Sequence, residues 1–228
     1  MIQVEDIETM NFAAAIRGMR NPMNSWAKSD SEEDVGRCDY CIYRGDSRCN
    51  DRAFCPVTFA AGPADLGLMR RLVAAGPEHR KFMRQIFVSM NITAPLYWWK
   101  EFDTYKVGTT ANSCSTMHKL TAKRFTLEDF STDHIEPECT HVITTVIAAL
   151  NEMRDEYLKT NDKGLWYTMV QLLPSSYNQR RTVTMTYENA FNIIQQRSGH
   201  KLQEWLDFVN VLLGLPYMGD LVTAQKGS

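Results

Sequence analysis

Four cysteines, Cys38, Cys41, Cys49 and Cys55, fall within one short polar stretch. Four thiolates are the ligand set of tetrahedral zinc or of an iron–sulfur cluster, and the two-residue gap of Cys38-x2-Cys41 is ordinary for such ligands. The gap of Cys49-x5-Cys55 is not. Metal ligation, unpaired loop thiols and disulfides therefore all remain open readings of the cluster. Cys114 lies apart, either as a nucleophilic thiolate or as a small buried side chain. Near the N-terminus, Arg17-Gly-Met-Arg20-Asn-Pro either sets two cations beside a phosphate or forms an ordinary turn.

These groups need elements to hold them. The chain has 228 residues, 44% apolar and 23% charged, which suits one domain spanning 1–228 with a sizeable core. With 25 basic and 27 acidic side chains, the formal charge of −2 provides no global positive field. Polymeric nucleic acid is therefore not expected as a partner, whereas a small anion needs only local cations. The first 17 residues carry Glu5, Asp6 and Glu8 and lack the apolar core of a signal peptide. The apolar run 142–150 is too short to span a bilayer, so no membrane association is expected. A cytoplasmic address with reduced cysteines follows as the expectation.

Residues 27–63 are rich in Ser, Asp, Gly, Arg and Cys without a sustained period, which reads as a Cys-rich loop or insert within the domain. Beyond it, 65–76 predicts a helix with Leu66, Met69 and Leu72 on one face and Gly76 at its C-terminus. In 85–93, Ile86, Val88, Met90 and Ile92 alternate with Phe87, Ser89, Asn91 and Thr93, the pattern of a strand. Pro95 opens an aromatic helix through Tyr105 in which Trp98 and Trp99 read as core or subunit contacts, with a stacking platform as the alternative. The longest predicted helix, 137–160, spaces Val142, Val146, Ala149, Leu150 and Met153 by helical intervals. A strand over 182–187 and helices over 188–196 and 200–213 complete the series. This order indicates an α+β fold, not a regular βαβ alternation.

A first segment runs from Leu68-Met-Arg-Arg-Leu-Val-Ala-Ala-Gly-Pro-Glu-His79 through Phe82 and the strand to Ala94-Pro95. Read with two further segments, it resembles the flavin-dependent thymidylate synthase (ThyX) family. The second, Tyr105-Lys-Val-Gly-Thr-Thr-Ala-Asn-Ser-Cys-Ser-Thr-Met-His118, stands where the family carries Arg-His-Arg-x-x-Ser-x-Asn-Glu-x-Ser-x-Arg. Asn112 and Ser115 coincide with that motif, and Thr110 keeps a hydroxyl. Tyr105, Lys106 and Val107 replace the Arg-His-Arg triplet, and Met117 replaces the last arginine. The third is Leu173-Pro-Ser-Ser-Tyr-Asn followed by Thr184 to Trp205. There Asn192 and Arg197 fall on family positions that contact flavin and nucleotide. Thr186 and Glu188 stand where Asn and Arg are usual, and Val170 where Arg precedes Leu-Pro. The likeness covers roughly 65–214, with a faint echo over 13–21, and leaves the Cys-rich stretch outside.

The resemblance implies a mixed or antiparallel sheet flanked by helices. It also implies FAD bound between subunits of a homotetramer and hydride supply from NADPH. The reaction it implies is methyl transfer from methylene-tetrahydrofolate to dUMP. That chemistry asks for donors along the pyrimidine edge of the flavin and cations facing phosphates. On this basis Lys106, Asn112, Asn192 and His79 are the flavin candidates, and Ser115, Arg197 and Arg181 the nucleotide candidates. Arg197 stands out because a planar guanidinium matches an oxyanion in two places. Each also has an ordinary reading: Asn112 as a turn or cap, Ser115 and Lys106 on a solvated face, Arg197 at a helix end, His79 as structural. The leading functional expectation is transfer of a methyl or hydroxymethyl unit to C5 of a pyrimidine nucleotide. A non-catalytic scaffold of the same fold and a flavoenzyme for a different nucleotide are the alternatives.

Overall fold

The structure is a computed structural model that describes residues 2–33 and 59–226. Its main sheet has the strand order β1-β4-β6-β5, with β1 at Gln3–Met10, β4 at Phe87–Pro95, β5 at Thr109–Ser113 and β6 at Asn178–Thr186. On the polar face, the Ser89 and Thr184 hydroxyls meet at 2.7 Å and Thr182 donates to Asn91 at 2.6 Å, so β4 and β6 are antiparallel. β5 and β6 are antiparallel as well: Cys114 N–H donates to Arg180 O at 2.9 Å and Thr186 N–H to Gly108 O at 3.0 Å. A two-stranded ribbon pairs β2 (Glu32–Glu33) with β3 (Phe59–Ala60). The result is a mixed helix and antiparallel-sheet fold: the pattern of elements leads to the α+β class, and the family resemblance to the antiparallel sheet.

Residue contacts divide the chain into two compact units. The first comprises Met1–Glu5, Asn91–Lys106 and Ala111–Val183. In it α3 (Leu96–Phe102) buries Trp98, Trp99 and Phe102, and Trp99 Nε1 donates to Gln179 O at 2.9 Å. The helices α4 (Thr140–Thr160) and α5 (Lys163–Leu172) close on Leu120, Phe125 and Phe130 through Ile143, Ile147, Leu150 and Met169. This differs from the predicted face of the long helix, since Val142 is 53% exposed. The reason is polar: buried Asn151 accepts from Phe125 N–H at 2.8 Å and donates to Phe125 O at 2.9 Å, which fixes the rotation of α4.

The second unit comprises Asp6–Met90, Val107–Thr110 and Thr184–Ser228. Its elements include α1 (Phe12–Arg20), α2 (Pro63–Ala74), α6 (Tyr187–Arg197), α7 (Gln203–Leu213) and α8 (Met218–Lys226). Ile86, Val88 and Met90 are buried in the predicted alternation, and Phe191, Ile193, Trp205, Phe208 and Leu212 are buried from α6 and α7. Pro63 occupies the first turn of α2, where its missing N–H costs nothing. Gly62 has no side chain to cap the helix, and the Asp30 carboxylate does so instead, accepting from Ala64 N–H at 2.8 Å and Asp65 N–H at 3.0 Å. The buried face of α2 is Asp65, Met69 and Val73, not the predicted Leu66, Met69 and Leu72, because Asp65 is drawn inward by Arg20. Among the described residues no helix is long and apolar enough to cross a membrane.

Candidate functional site

Helix α6 carries several polar side chains with defined partners. It starts where β6 ends: the Thr186 hydroxyl accepts from Asn189 N–H at 3.2 Å, a regular N-cap. Asn189 in turn ties down the segment 107–110, its Nδ2 donating to Val107 O and, at 2.7 Å, to Thr109 Oγ1. Gly108 has φ +72°, and a Cβ there would stand 3.2 Å from Thr186 Cγ2, so this close passage against the start of α6 requires glycine.

One position before Asn189, Glu188 points into the unit with its side chain 11% exposed. Arg80 Nε donates to it at 3.2 Å, Arg84 Nη2 at 3.4 Å, and Arg84 Nε makes a second, close contact. Burial pushes the Glu188 carboxyl up, but the bonds from Arg84 and Arg80 outweigh it and hold the group below its ordinary pKa. Arg80 is buried and lies over the Phe191 ring at 4.7 Å. Its Nη2 donates to Asn192 Oδ1 at 3.0 Å, while among the described residues Nη1 has no hydrogen-bond partner. The Glu188 carboxylate thus takes hydrogen bonds from two guanidiniums, and Glu78 adds a further negative charge that acts on Arg84.

The predicted site residues divide as follows. Asn192 joins the arginine cluster. His79 is exposed, and its neighbour Arg80 is the residue that enters the interior. Arg197 sits with its guanidinium 4.5 Å over the Trp205 ring. It is five positions beyond Asn192 on the same helix, which turns the two side chains roughly 140° apart. Lys106 and Asn112 are exposed. The Ser115 hydroxyl accepts from Met117 N–H at 3.2 Å and His118 N–H at 2.9 Å, closing a turn. Arg181 donates to Gln179 Oε1 at 3.0 Å and to Asp103 Oδ1 at 2.7 Å, and its guanidinium stacks 4.1 Å over Trp99. Gln179 passes the chain on by donating to Cys114 O at 2.7 Å. The Cys114 thiol itself is exposed, contrary to the buried reading, because only its main chain is taken up by the sheet edge.

Cys38, Cys41, Cys49 and Cys55 lie outside the described residues, and among the described residues no group of three or more His, Cys, Asp or Glu is placed to hold a metal ion. The Arg17-to-Arg20 segment is more than a turn. Arg20 is buried, donating to Asp65 Oδ1 at 2.6 Å, and both arginines line a cavity of about 230 Å³ with Trp26, Ser29 and Ser31. Arg80, Arg84, Asn189 and the Arg20–Asp65 pair escaped the sequence reading. The only signal for the first two is their four-residue spacing, which sets both guanidiniums toward one carboxylate.

No family model matches the chain, and no curated protein matches it in sequence. Solved structures do resemble it. One is thymidylate synthase X (ThyX) from Helicobacter pylori with FAD and dUMP, at a TM-score of 0.68 and 16% identity, the match covering 99% of this chain and 100% of that one. Another is the flavin-dependent thymidylate synthase ThyX from Helicobacter pylori complexed with FAD and dUMP, at a TM-score of 0.65 and 15% identity, covering 99% and 98%. At such identities the likeness is one of fold, and it extends over the whole length of both chains.

Proposed function

We propose that this chain is a flavoenzyme of nucleotide metabolism that transfers a one-carbon unit, methyl or hydroxymethyl, to C5 of a pyrimidine nucleotide such as dUMP. The observation that carries this reading is the end-to-end likeness to two structures that hold FAD and dUMP. The residues of α6 suit such ligands. Asn192 has its oxygen engaged by Arg80, which leaves amide N–H donors for a carbonyl, and Arg197 offers a planar cation for a phosphate or base edge. The flavin would supply the hydride acceptance and donation that protein side chains lack. The chain's own residues would bind, orient and neutralise charge. A homo-oligomer, tetrameric by resemblance, belongs to the same reading.

The direct test is a visible absorbance spectrum of purified protein, then titration with FAD and dUMP. A yellow protein, or one that takes up FAD, is expected. Addition at C5 must displace the C5 hydrogen, so tritium release from dUMP labelled there, with a reduced nicotinamide and methylene-tetrahydrofolate present, tests the reaction. Product mass separates methyl from hydroxymethyl. A protein that binds neither FAD nor dUMP sinks the reading.

One observation favours a second reading, a non-catalytic scaffold. Where the family carries Arg-His-Arg, this chain has Val107 at 88% exposure beside an exposed Lys106. That reading expects a colourless protein whose ligand binding is indifferent to Lys106→Ala and Arg197→Ala.

A further inference from the structure

An asparagine amide presents an acceptor on one side and two donors on the other, and rotation by half a turn exchanges them. Which side faces a ligand is therefore a matter of what holds the opposite side. At Asn192 the holder is Arg80, whose Nη2 lies 3.0 Å from Oδ1. A guanidinium has donors and no acceptor, so the oxygen must face it and the NH2 group must face away. Among the described residues Asn192 Nδ2 makes no hydrogen bond.

Arg80 is itself held against movement. Its Nε is committed to Glu188 at 3.2 Å, its plane lies over Phe191 at 4.7 Å, and it is 5% exposed. Among the described residues Nη1 is already buried without a partner. If the Asn192 oxygen turned away, a second guanidinium nitrogen would lose its acceptor in the same enclosed space, which opposes the flip strongly. Cluster and amide therefore form one unit with a single stable orientation.

We propose that Arg80 is a positioning residue that locks Asn192 with its NH2 group outward, so that this side chain accepts only ligands presenting a hydrogen-bond acceptor there. The naming of that ligand rests on the flavoenzyme reading: for FAD, the facing group is a carbonyl oxygen of the pyrimidine ring and not the ring N–H.

The test uses FAD as probe on the full chain, with Asn192→Asp, Arg80→Lys and Arg80→Met variants, and urea unfolding without ligand. Asn192→Asp keeps an acceptor toward Arg80 but turns a carboxylate oxygen toward the ligand. It should unfold at a higher urea concentration than the parent, yet bind FAD about tenfold or more weakly and lose the shift of the bound flavin's long-wavelength band. Arg80→Lys keeps a donor-only neighbour and should hold FAD within about threefold of the parent, whereas Arg80→Met should lose about as much as Asn192→Asp. Asn192→Asp binding FAD like the parent overturns the proposal, as does a folded Arg80→Met variant with parental affinity. If the parent itself binds no FAD, the flavoenzyme reading fails and unfolding decides the rest. A midpoint raised by Asn192→Asp, and not raised in the Arg80→Met background, upholds the lock. A midpoint lowered by Asn192→Asp overturns it.

Discussion

Two buried carboxylates in the same unit are treated in opposite ways. Asp65 accepts five hydrogen bonds: from Arg20 Nε at 2.6 Å, the Ser29 and Ser31 hydroxyls at 2.7 and 2.6 Å, and the Asp30 and Ser31 amides, both at 3.1 Å. Its charge is balanced by one guanidinium and its lone pairs are filled. Among the described residues Glu188 has only guanidiniums for hydrogen-bond partners, two of them, and one nitrogen of Arg80 is left over. A closed cluster of the first kind has nothing further to offer and serves the fold by stitching the stretch 29–31 to α1 and α2. An open cluster of the second kind carries a spare buried donor, which is what a binding surface needs. Burial is common to both, so burial of charge alone does not mark a site here; completeness of satisfaction does.

The largest effect that would sharpen this contrast is expected at Asp65. Asp65→Ala leaves the Arg20 guanidinium buried without its counter-charge, for a loss of about 3–5 kcal/mol in urea unfolding. A loss close to zero would mean that Asp65 is not the closed anchor described above. FAD or nucleotide affinity, measured under conditions where the variant is folded, should hardly change.

Acid should reveal the same difference at the next scale. Burial raises the Asp65 carboxyl, but the bonds from Ser31, Ser29, Arg20 and Asp30 together hold it below its ordinary value, and Glu188 is lowered as well. A depressed folded pKa contributes stability that is whole above the unfolded value of about 3.9–4.3 and is lost as pH falls through the folded value. Stability measured from pH 6 downward should therefore decline in the parent. The decline should be shallower in Asp65→Asn and in Glu188→Gln, each of which removes one titrating group. A decline as steep in both variants as in the parent would assign the acid sensitivity elsewhere.

How much of this was visible in the sequence depends on whether the deciding contact is local. The β4 alternation was legible because Ile86, Val88, Met90 and Ile92 differ plainly from Ser89, Asn91 and Thr93, and a strand needs only that contrast. The rotation of α4 was not. From His141 to Asn151 the helix has no Asp, Glu, Lys or Arg, so several apolar faces compete, and the arbiter is a polar clip from Asn151 to Phe125. The strand β1 was missed because Gln3, Glu5, Asp6 and Glu8 hide its alternation. At the site, resemblance pointed to Asn192, but its orienting partner stands 112 positions earlier, and Asp65 finds Arg20 at a separation of 45. Buried charges are readable only with their partners, and the pairing is a product of the fold.

A smaller stability effect, and the one that most directly tests the open character of the second cluster, is expected at Glu188. Glu188→Gln keeps an acceptor for Arg80 and Arg84 while removing the charge, so it should cost about 1–3 kcal/mol, less than Asp65→Ala. It also removes the negative charge facing Arg80, the guanidinium that holds Asn192. Affinity for an anionic ligand at α6 should then rise, or hold despite the lost stability, and should become more sensitive to salt. If instead Glu188→Gln weakens ligand binding and stability in step, Glu188 shapes the site by keeping Arg80 in place, and positive charge is not what draws the ligand. Arg84→Ala separates those outcomes. Its side chain is 52% exposed, so it should disturb the fold less than Glu188→Gln while removing one positive charge. A fall in anion affinity without a shift in the unfolding midpoint would locate the attraction in that second guanidinium.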